Sequence, residues 1–228
     1  MVKHSKRYQE AVGLVDREKI YEVDDAIDLL KTLPMANFDE AVEVAVRLGI
    51  DPSKTDQLIR GAVSLPNGLG KSVKVVVFAE GDKAEAAKAA GADEVGSDDL
   101  AEKIAGGWAD FDVVIASPDM MKHVGKLGRI LGPSGKMPSP KSGTVTPDVA
   151  AAVEEFKAGK VEFRTDAGGN VQAPVGRASF SSEALTENLT TFLDHIESLR
   201  PAAVKGQYLR KVSVSTTMSP GLRVAYGE

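Results

Sequence analysis

Lys211–Met218 reads KVSVSTTM. Val212 and Val214 alternate with Ser213, Ser215 and Thr217, the period-two pattern of a strand with one apolar and one hydroxyl face. The valines call for a helix to cover them. The hydroxyls then form an uncharged row of donors and acceptors, and Met218 follows as a flexible apolar tip. A row of this kind suits a partner rich in 2′-hydroxyl and phosphate groups, and RNA offers both. An ordinary antiparallel strand with its polar face in water carries the same alternation. Leu222–Tyr226 is placed to pair beside it.

A helix to cover the valines lies just upstream. Ser181 or Ser182 can cap it, and Leu185, Leu189, Phe192, Leu193, Ile196 and Leu199 follow at the spacing of one helical face. Pro201 ends it. Further upstream, Val161, Phe163 and Thr165 alternate with charged residues, and Gly168-Gly169-Asn170 reads as a hairpin turn into Val171–Val175. The N-terminal part has the same texture. A short helix fits Ser5–Val15, with Tyr8, Val12 and Val15 on one side. Asp24 or Asp25 can cap a second helix carrying Ala26, Ile27, Leu30 and Leu33, stopped by Pro34. Val42, Val44, Val46 and Leu48 make one face of a strand, with Glu43 and Arg47 on the other. Ile59–Leu65 alternates as well.

Between these parts the texture changes. Val73–Ala79 and Asp112–Ala116 are almost continuously apolar, as in parallel strands covered on both faces. Helical patterns fall at Asp82–Ala90, Ser97–Ala105, Met120–Leu131 (with Gly128 as a weak point) and from Thr146-Pro147, with the proline in the first turn, to Gly159. Residues 1–66 and 160–228 therefore form one discontinuous α+β domain with an open antiparallel sheet, and residues 67–159 form an inserted α/β domain. Gly68, Gly70 and Gly159 mark the two crossings. They can serve as a hinge or simply as turn residues.

Hydrophobic residues make up 43% of the 228, enough for real cores. There is no cysteine, which excludes disulfides and thiolate metal sites and fits a reducing, cytoplasmic setting. No run approaches the roughly 18–20 apolar residues that span a bilayer, so no membrane partner is expected. The net charge of −5 is unpromising for nucleic acid, but its distribution is uneven. No acid lies between Asp119 and Asp148, where Lys122, Lys126, Arg129, Lys136 and Lys141 fall. None lies between Glu197 and Glu228, where Arg200, Lys205, Arg210, Lys211 and Arg223 fall. Such windows can make local positive surfaces in an acidic protein.

Signals for catalysis fail. Gly68-Leu69-Gly70-Lys71-Ser72 lacks the first glycine of a Walker loop, since Leu65 stands there, and the third glycine of a dinucleotide fingerprint, since Val73 stands there. His4, His123 and His195 have no metal-ligand spacing. No cofactor or metal is expected. The remaining alternative is a nucleotide-binding enzyme using the inserted domain. Leu131–Lys141, LGPSGKMPSPK, reads as an extended, poorly self-bonded loop. Its free amides and its Lys136 and Lys141 can meet phosphate, or it can be a rigid cover for the small sheet.

Several stretches together resemble the bacterial ribosomal protein L-one family. They are FDEAVEVAVRLGIDP at 38–52, RGAVSLPNGLGK at 60–71, LGPSGKMPSPKSGTVTP at 131–147, APVGRASF at 173–180 and KVSVSTTMSPG at 211–221. The resemblance spans nearly the whole chain. It implies a discontinuous outer domain, a Rossmann-like three-layer inserted domain and a non-enzymatic, cytoplasmic protein that is monomeric when free. It implies as partners the large ribosomal subunit, the stalk region of its 23S rRNA, tRNA at the exit site and operon mRNA, with roles in release of deacylated tRNA and in translational repression. Carried over by motif, the RNA-binding residues are Phe38, Glu43, Thr216, Thr217, Met218 and Ser219, with Ser213 and Ser215 lining the same face. Glu43 can accept from a 2′-hydroxyl or a guanine amino group. This sequence departs from the family pattern at Ser219, where glycine is usual, at Ser134, where arginine is common, and at Ser139, where asparagine is common. If the backbone at 219 needs positive φ or a close approach to RNA, serine costs something there.

Overall fold

The computed structural model describes residues 4–226. In chain order they form α1 (Lys6–Leu14), α2 (Val23–Thr32), β1 (Ala41–Leu48), β2 (Arg60–Ser64), β3 (Val75–Phe78), α3 (Asp82–Ala89), β4 (Glu94–Gly96), α4 (Asp98–Ala105), β5 (Val113–Ala116), α5 (Met121–Lys126), α6 (Gly128–Leu131), α7 (Val149–Ala158), β6 (Lys160–Arg164), β7 (Asn170–Arg177), α8 (Ser182–Ser198), β8 (Leu209–Thr216) and β9 (Leu222–Val224). The chain divides into two compact units. One takes the residues up to Gly70 and those from Val161 onward; the other is Lys71–Lys160.

The first unit is built on an antiparallel sheet of order β7-β1-β8-β9. Alternation decides its faces. Val42, Val44, Val46 and Leu48 of β1 are at most 2% exposed. Register sets Val44 opposite Val214 and Val46 opposite Val212, so β8 adds its valines to the same side. That side is covered by α2, through Ala26, Ile27 and Leu30, and by α8, through Leu185, Leu189, Phe192, Leu193 and Ile196. Full burial of one such side chain contributes about 1.5–3 kcal/mol, so the five from α8 together contribute on the order of 10 kcal/mol before entropy is counted. Ser181 caps α8, its Oγ accepting from the Ala184 amide at 3.2 Å. Leu199 falls past the helix end and stays partly exposed.

The helix face also holds a polar residue. Asn188 is fully buried, yet its amide group donates to the Val175 carbonyl (2.8 Å) and the Gly68 carbonyl (3.0 Å), and its oxygen accepts from the Asn67 amide (3.0 Å). A buried side-chain amide is tolerated because its donors and acceptor are met. It ties α8 to β7 and to the turn after β2.

Two local expectations change. The cap of α2 is Glu22, so Asp24 and Asp25 lie in its first turn, where negative charge still complements the helix dipole. The Gly168–Asn170 turn is real. The Asp166 carboxylate accepts from the amides of Gly168 and Asn170, and Gly169 has φ +77°. It does not close a hairpin, however: β6 pairs with β2 in a separate two-stranded sheet, β7 pairs with β1, and only a single bridge, Thr165 to Val171, joins the two arms. Pairing across the chain outcompetes the local ladder because it aligns both strands with buried faces.

The second unit has a parallel sheet of order β4-β3-β5. Its apolar runs are sorted by parity. Val76, Phe78, Val114 and Ala116 pack with Leu100 and Ile104 of α4 and Val124 of α5. Val75, Val77 and Ile115 pack with Ala87 of α3 and Val149, Val153 and Phe156 of α7. Both sheet faces are therefore used up. β4 has no apolar run and was invisible in the sequence. The helix expected from Thr146-Pro147 begins later, because Asp148 is its cap, its Oδ1 accepting from the Ala151 amide at 3.2 Å. Met120–Leu131 breaks at Leu127, and Gly128 opens α6. Gly159 ends α7 with φ +116°, and Gly68 and Gly70 also have positive φ, so all three crossing glycines sit where other residues are strained.

Candidate nucleic-acid interface

The second face of the antiparallel sheet is largely open, with α1 standing beside it at the β8–β9 edge. Register lays out its rows. Glu43 of β1 lies opposite Pro174 of β7 and Ser215 of β8. Ala45 lies opposite Gln172 and Ser213, and Ser213 lies opposite Arg223 of β9. Arg47 lies opposite Asn170 and Lys211. Glu43, Ala45, Arg47, Gln172, Pro174, Lys211 and Arg223 are exposed, and Ser213 and Ser215 are partly exposed. Neither serine hydroxyl has a hydrogen-bond partner among the described residues, so both are open to a ligand.

One end of this face is a corner organised by a buried acid. Glu40 stands in phase with Val42 and Val44 and is 1% exposed. Its carboxylate accepts from the Ala36 amide (2.6 Å), the Thr216 hydroxyl (2.5 Å) and the Met218 amide (3.0 Å). Burial alone pushes its pKa up, but these three bonds and the charge of Arg7 outweigh burial and hold it below the usual glutamate value. One carboxylate thus gathers the segment before Phe38 and the segment carrying Met218. Phe38 is 54% exposed and Met218 49%, large apolar side chains held outward rather than buried. The sequence carried a signal for Glu40, a carboxylate on the valine phase of β1, but not its partners.

Three of the residues carried over by motif have other occupations. Thr216 is buried on the valine side and its hydroxyl is taken by Glu40. The Thr217 side chain is exposed, but its Oγ1 accepts from the Ala41 amide (3.0 Å) and donates to the Ala41 carbonyl (3.4 Å). Ser219 has no positive φ, so the expected strain is absent. Its Oγ accepts from the Thr216 amide (2.9 Å) and donates to the Pro220 carbonyl (3.2 Å), closing the turn. These hydroxyls build the corner; Ser213, Ser215, Phe38, Met218 and Glu43 are what the face presents.

The proline-rich loop and the glycine-rich segment are spent internally. Leu131–Lys141 is self-bonded, contrary to expectation. Lys136 donates to the carbonyls of Phe111 and Ala109 and lies 4.7 Å from the Phe111 ring centre. Ser139, Ser142 and Thr144 are buried in a mutual network. The Gly68–Ser72 segment leads into strand β3 rather than a helix, and Lys71 is paired with Asp112 at 2.8 Å, so no phosphate loop forms. His195 lies edge-on to Phe163 at 5.8 Å, with burial lowering its pKa. Among the described residues no group of acids or histidines is arranged to hold a metal, and no helix is long and apolar enough to cross a membrane.

The model of the ribosomal protein L1p/L10e family matches residues 29–220. The chain belongs to that family. The large ribosomal subunit protein uL1 of Kosmotoga olearia is 58% identical over 224 residues, covering 98% of this chain and 97% of that protein. The protein of the same name from Fervidobacterium nodosum is 58% identical over 225 residues, covering 98% and 96%. As a ribosomal protein of the L1p/L10e family it is not an enzyme, and the nucleotide-binding alternative has neither kinship nor geometry behind it. The matched span takes in the whole Glu40 corner and β8. It leaves α1 and Arg223 outside.

Proposed function

We propose that this protein is a structural component of the large ribosomal subunit that binds a folded element of 23S rRNA through the open face of its antiparallel sheet. The observation that carries this reading is the unpartnered row of Ser213 and Ser215 beside exposed Phe38 and Met218. Uncharged oxygens accept and donate to 2′-hydroxyls, and exposed apolar tips pack on sugar or base surfaces. Glu43 fits a hydroxyl or amino donor, not a phosphate. Two further roles belong to the same reading: assisting deacylated tRNA out of the exit site, and repressing translation by occupying a similar element in operon mRNA.

The test is chemical footprinting of 23S rRNA with the purified protein. A single protected stalk element, lost with the Phe38→Ala, Met218→Ala double variant, is the expected result. Protection that survives the double variant, or no protection by the unaltered protein, would rule the reading out. Translation of a reporter carrying the operon leader, with and without added protein, checks the repressor role separately.

A further inference from the structure

We infer that the RNA-binding surface does not stop at the sheet but continues into a cationic groove beside α1, which holds the phosphodiester backbone flanking the folded RNA element. The inference rests on the function proposed above and extends it to Arg17 and Arg223, which lie outside the span that the family model matches.

The groove is lined by Tyr8 of α1, Asp16 and Arg17 just after it, Lys211 and Ser213 of β8, and Arg223 of β9. Ser213 belongs both to the groove and to the open face, so the two surfaces are continuous. Arg17, Lys211 and Arg223 are exposed, and none makes an ion pair among the described residues. The single acid, Asp16, turns its carboxylate to the Glu18 amide at 2.9 Å. The groove is therefore net positive in a net negative protein.

The arrangement is built, not a loose tail. Ser5 caps α1, its Oγ accepting from the Tyr8 amide. Ala11 and Val15 are buried in the main core. Tyr21 then fixes Arg17 against β9. Its phenol oxygen accepts from the Asp16 amide (3.1 Å), its own amide donates to the Arg223 carbonyl (2.9 Å), and its carbonyl accepts from the Ala225 amide (2.8 Å). Tyr21 is 6% exposed, so this bracket is part of the core. It holds three cations from three elements around one concavity.

The order of groups along β8 suits one polymer. From Lys211 to Thr216 the strand covers roughly 17 Å at about 3.4 Å per residue. Along it lie a cation, two open hydroxyls and the apolar corner. A phosphate of the flanking backbone can meet the cation while riboses and bases of the folded element meet the hydroxyls and the corner. The cations supply the sequence-independent electrostatic part of binding, and the hydroxyls and corner supply the shape-specific part.

The test is the salt dependence of binding to a stalk rRNA fragment, measured by filter binding for the full chain and for the Arg17→Gln, Lys211→Gln, Arg223→Gln variant. Removing one cation from a phosphate should make the log–log salt slope shallower by about 0.7–0.9, so the triple variant should fall short by about two to three units while footprinting the same nucleotides. Arg17→Gln alone, at an exposed position outside any strand, should reduce the slope by about one unit and keep the native fold. A triple variant with the slope and affinity of the unaltered protein would overturn the groove alone. Failure of the unaltered protein to footprint the stalk would instead overturn the function on which it rests, and the groove with it.

Discussion

β3, in the middle of the parallel sheet, runs Val75-Val76-Val77-Phe78, and all four residues are buried. β1, in the interior of the antiparallel sheet, alternates buried valines with exposed Glu43, Ala45 and Arg47. Both strands are rich in valine and both have hydrogen-bonded neighbours on each side. The difference lies in how many faces are covered. A sheet with helices on both sides has nothing left to offer a macromolecule. A sheet with helices on one side keeps a flat, regularly spaced array for a partner. The cations divide by residue in a similar way: Lys136 and Arg200 spend their charge on carbonyls of their own units, whereas Lys211 and Arg223 make no ion pair among the described residues.

An aspartate introduced into each of the two sheets should separate these cases most sharply. Val77→Asp places a carboxylate at a site with no exposure and no partner, with a cost of about 4 kcal/mol or more. Denaturant unfolding should show the loss of a cooperative transition or a large fall in midpoint. Ala45→Asp changes an exposed residue and should cost at most about 1 kcal/mol, through strand propensity alone. Its effect should appear in RNA affinity. Equal destabilisation by the two changes would mean that the open face is covered after all.

Much of this division was legible beforehand because periodicity reports burial directly. Val212 and Val214 against Ser213 and Ser215 could be sorted by phase, and so could β1. What could not be read was where a polar group finds its partner. Thr216, Thr217 and Ser219 look alike as hydroxyls in a row. Only the fold sends the first inward to Glu40, ties the second to Ala41 and folds the third onto its own turn. Partners 176 residues apart in the chain leave no local trace. For the same reason the Lys136 charge looks free in the sequence: its side chain donates to Phe111 and Ala109, well outside the loop. The failed hairpin at Gly168–Asn170 shows the limit of turn chemistry, which fixes a bend but not which strand each arm will join.

Glu40 offers the next largest effect. Glu40→Gln keeps the shape but sets a donor against donors, leaving buried groups unmet at a cost of about 2–3 kcal/mol. The sign of the pH dependence follows from its depressed pKa. The carboxylate's stabilisation is fully present above the ordinary value of 4.5 and is lost as pH falls through the lower folded value. Unfolding midpoints across pH 3 to 6 should fall toward acid, and Glu40→Gln should flatten that segment. RNA affinity should fall with it at neutral pH, because Phe38 and Met218 lose their common anchor. A variant with unchanged acid dependence would show that other carboxylates carry it.

Thr217→Val should remove about 1 kcal/mol, since both Ala41 bonds lose their hydroxyl partner. Thr217→Ser keeps the hydroxyl and should restore most of it. If the hydroxyl instead served RNA directly, affinity would drop without any change in unfolding midpoint, so measuring both quantities on one pair of variants separates anchoring from contact.

Ser219→Gly should have the smallest effect, and its sign tests the reading of the corner. If the turn needed left-handed backbone, glycine would relieve strain and the protein would gain stability. The backbone there has no positive φ, and the Ser219 hydroxyl bonds the Thr216 amide and the Pro220 carbonyl. Glycine therefore loses a hydrogen bond and adds unfolded-state entropy, while water takes over part of the lost bonding at this partly exposed site. The net expectation is a loss of about 0.5–1 kcal/mol. A gain measured by chemical denaturation would mean that serine is a compromise at this position rather than a working part of the turn.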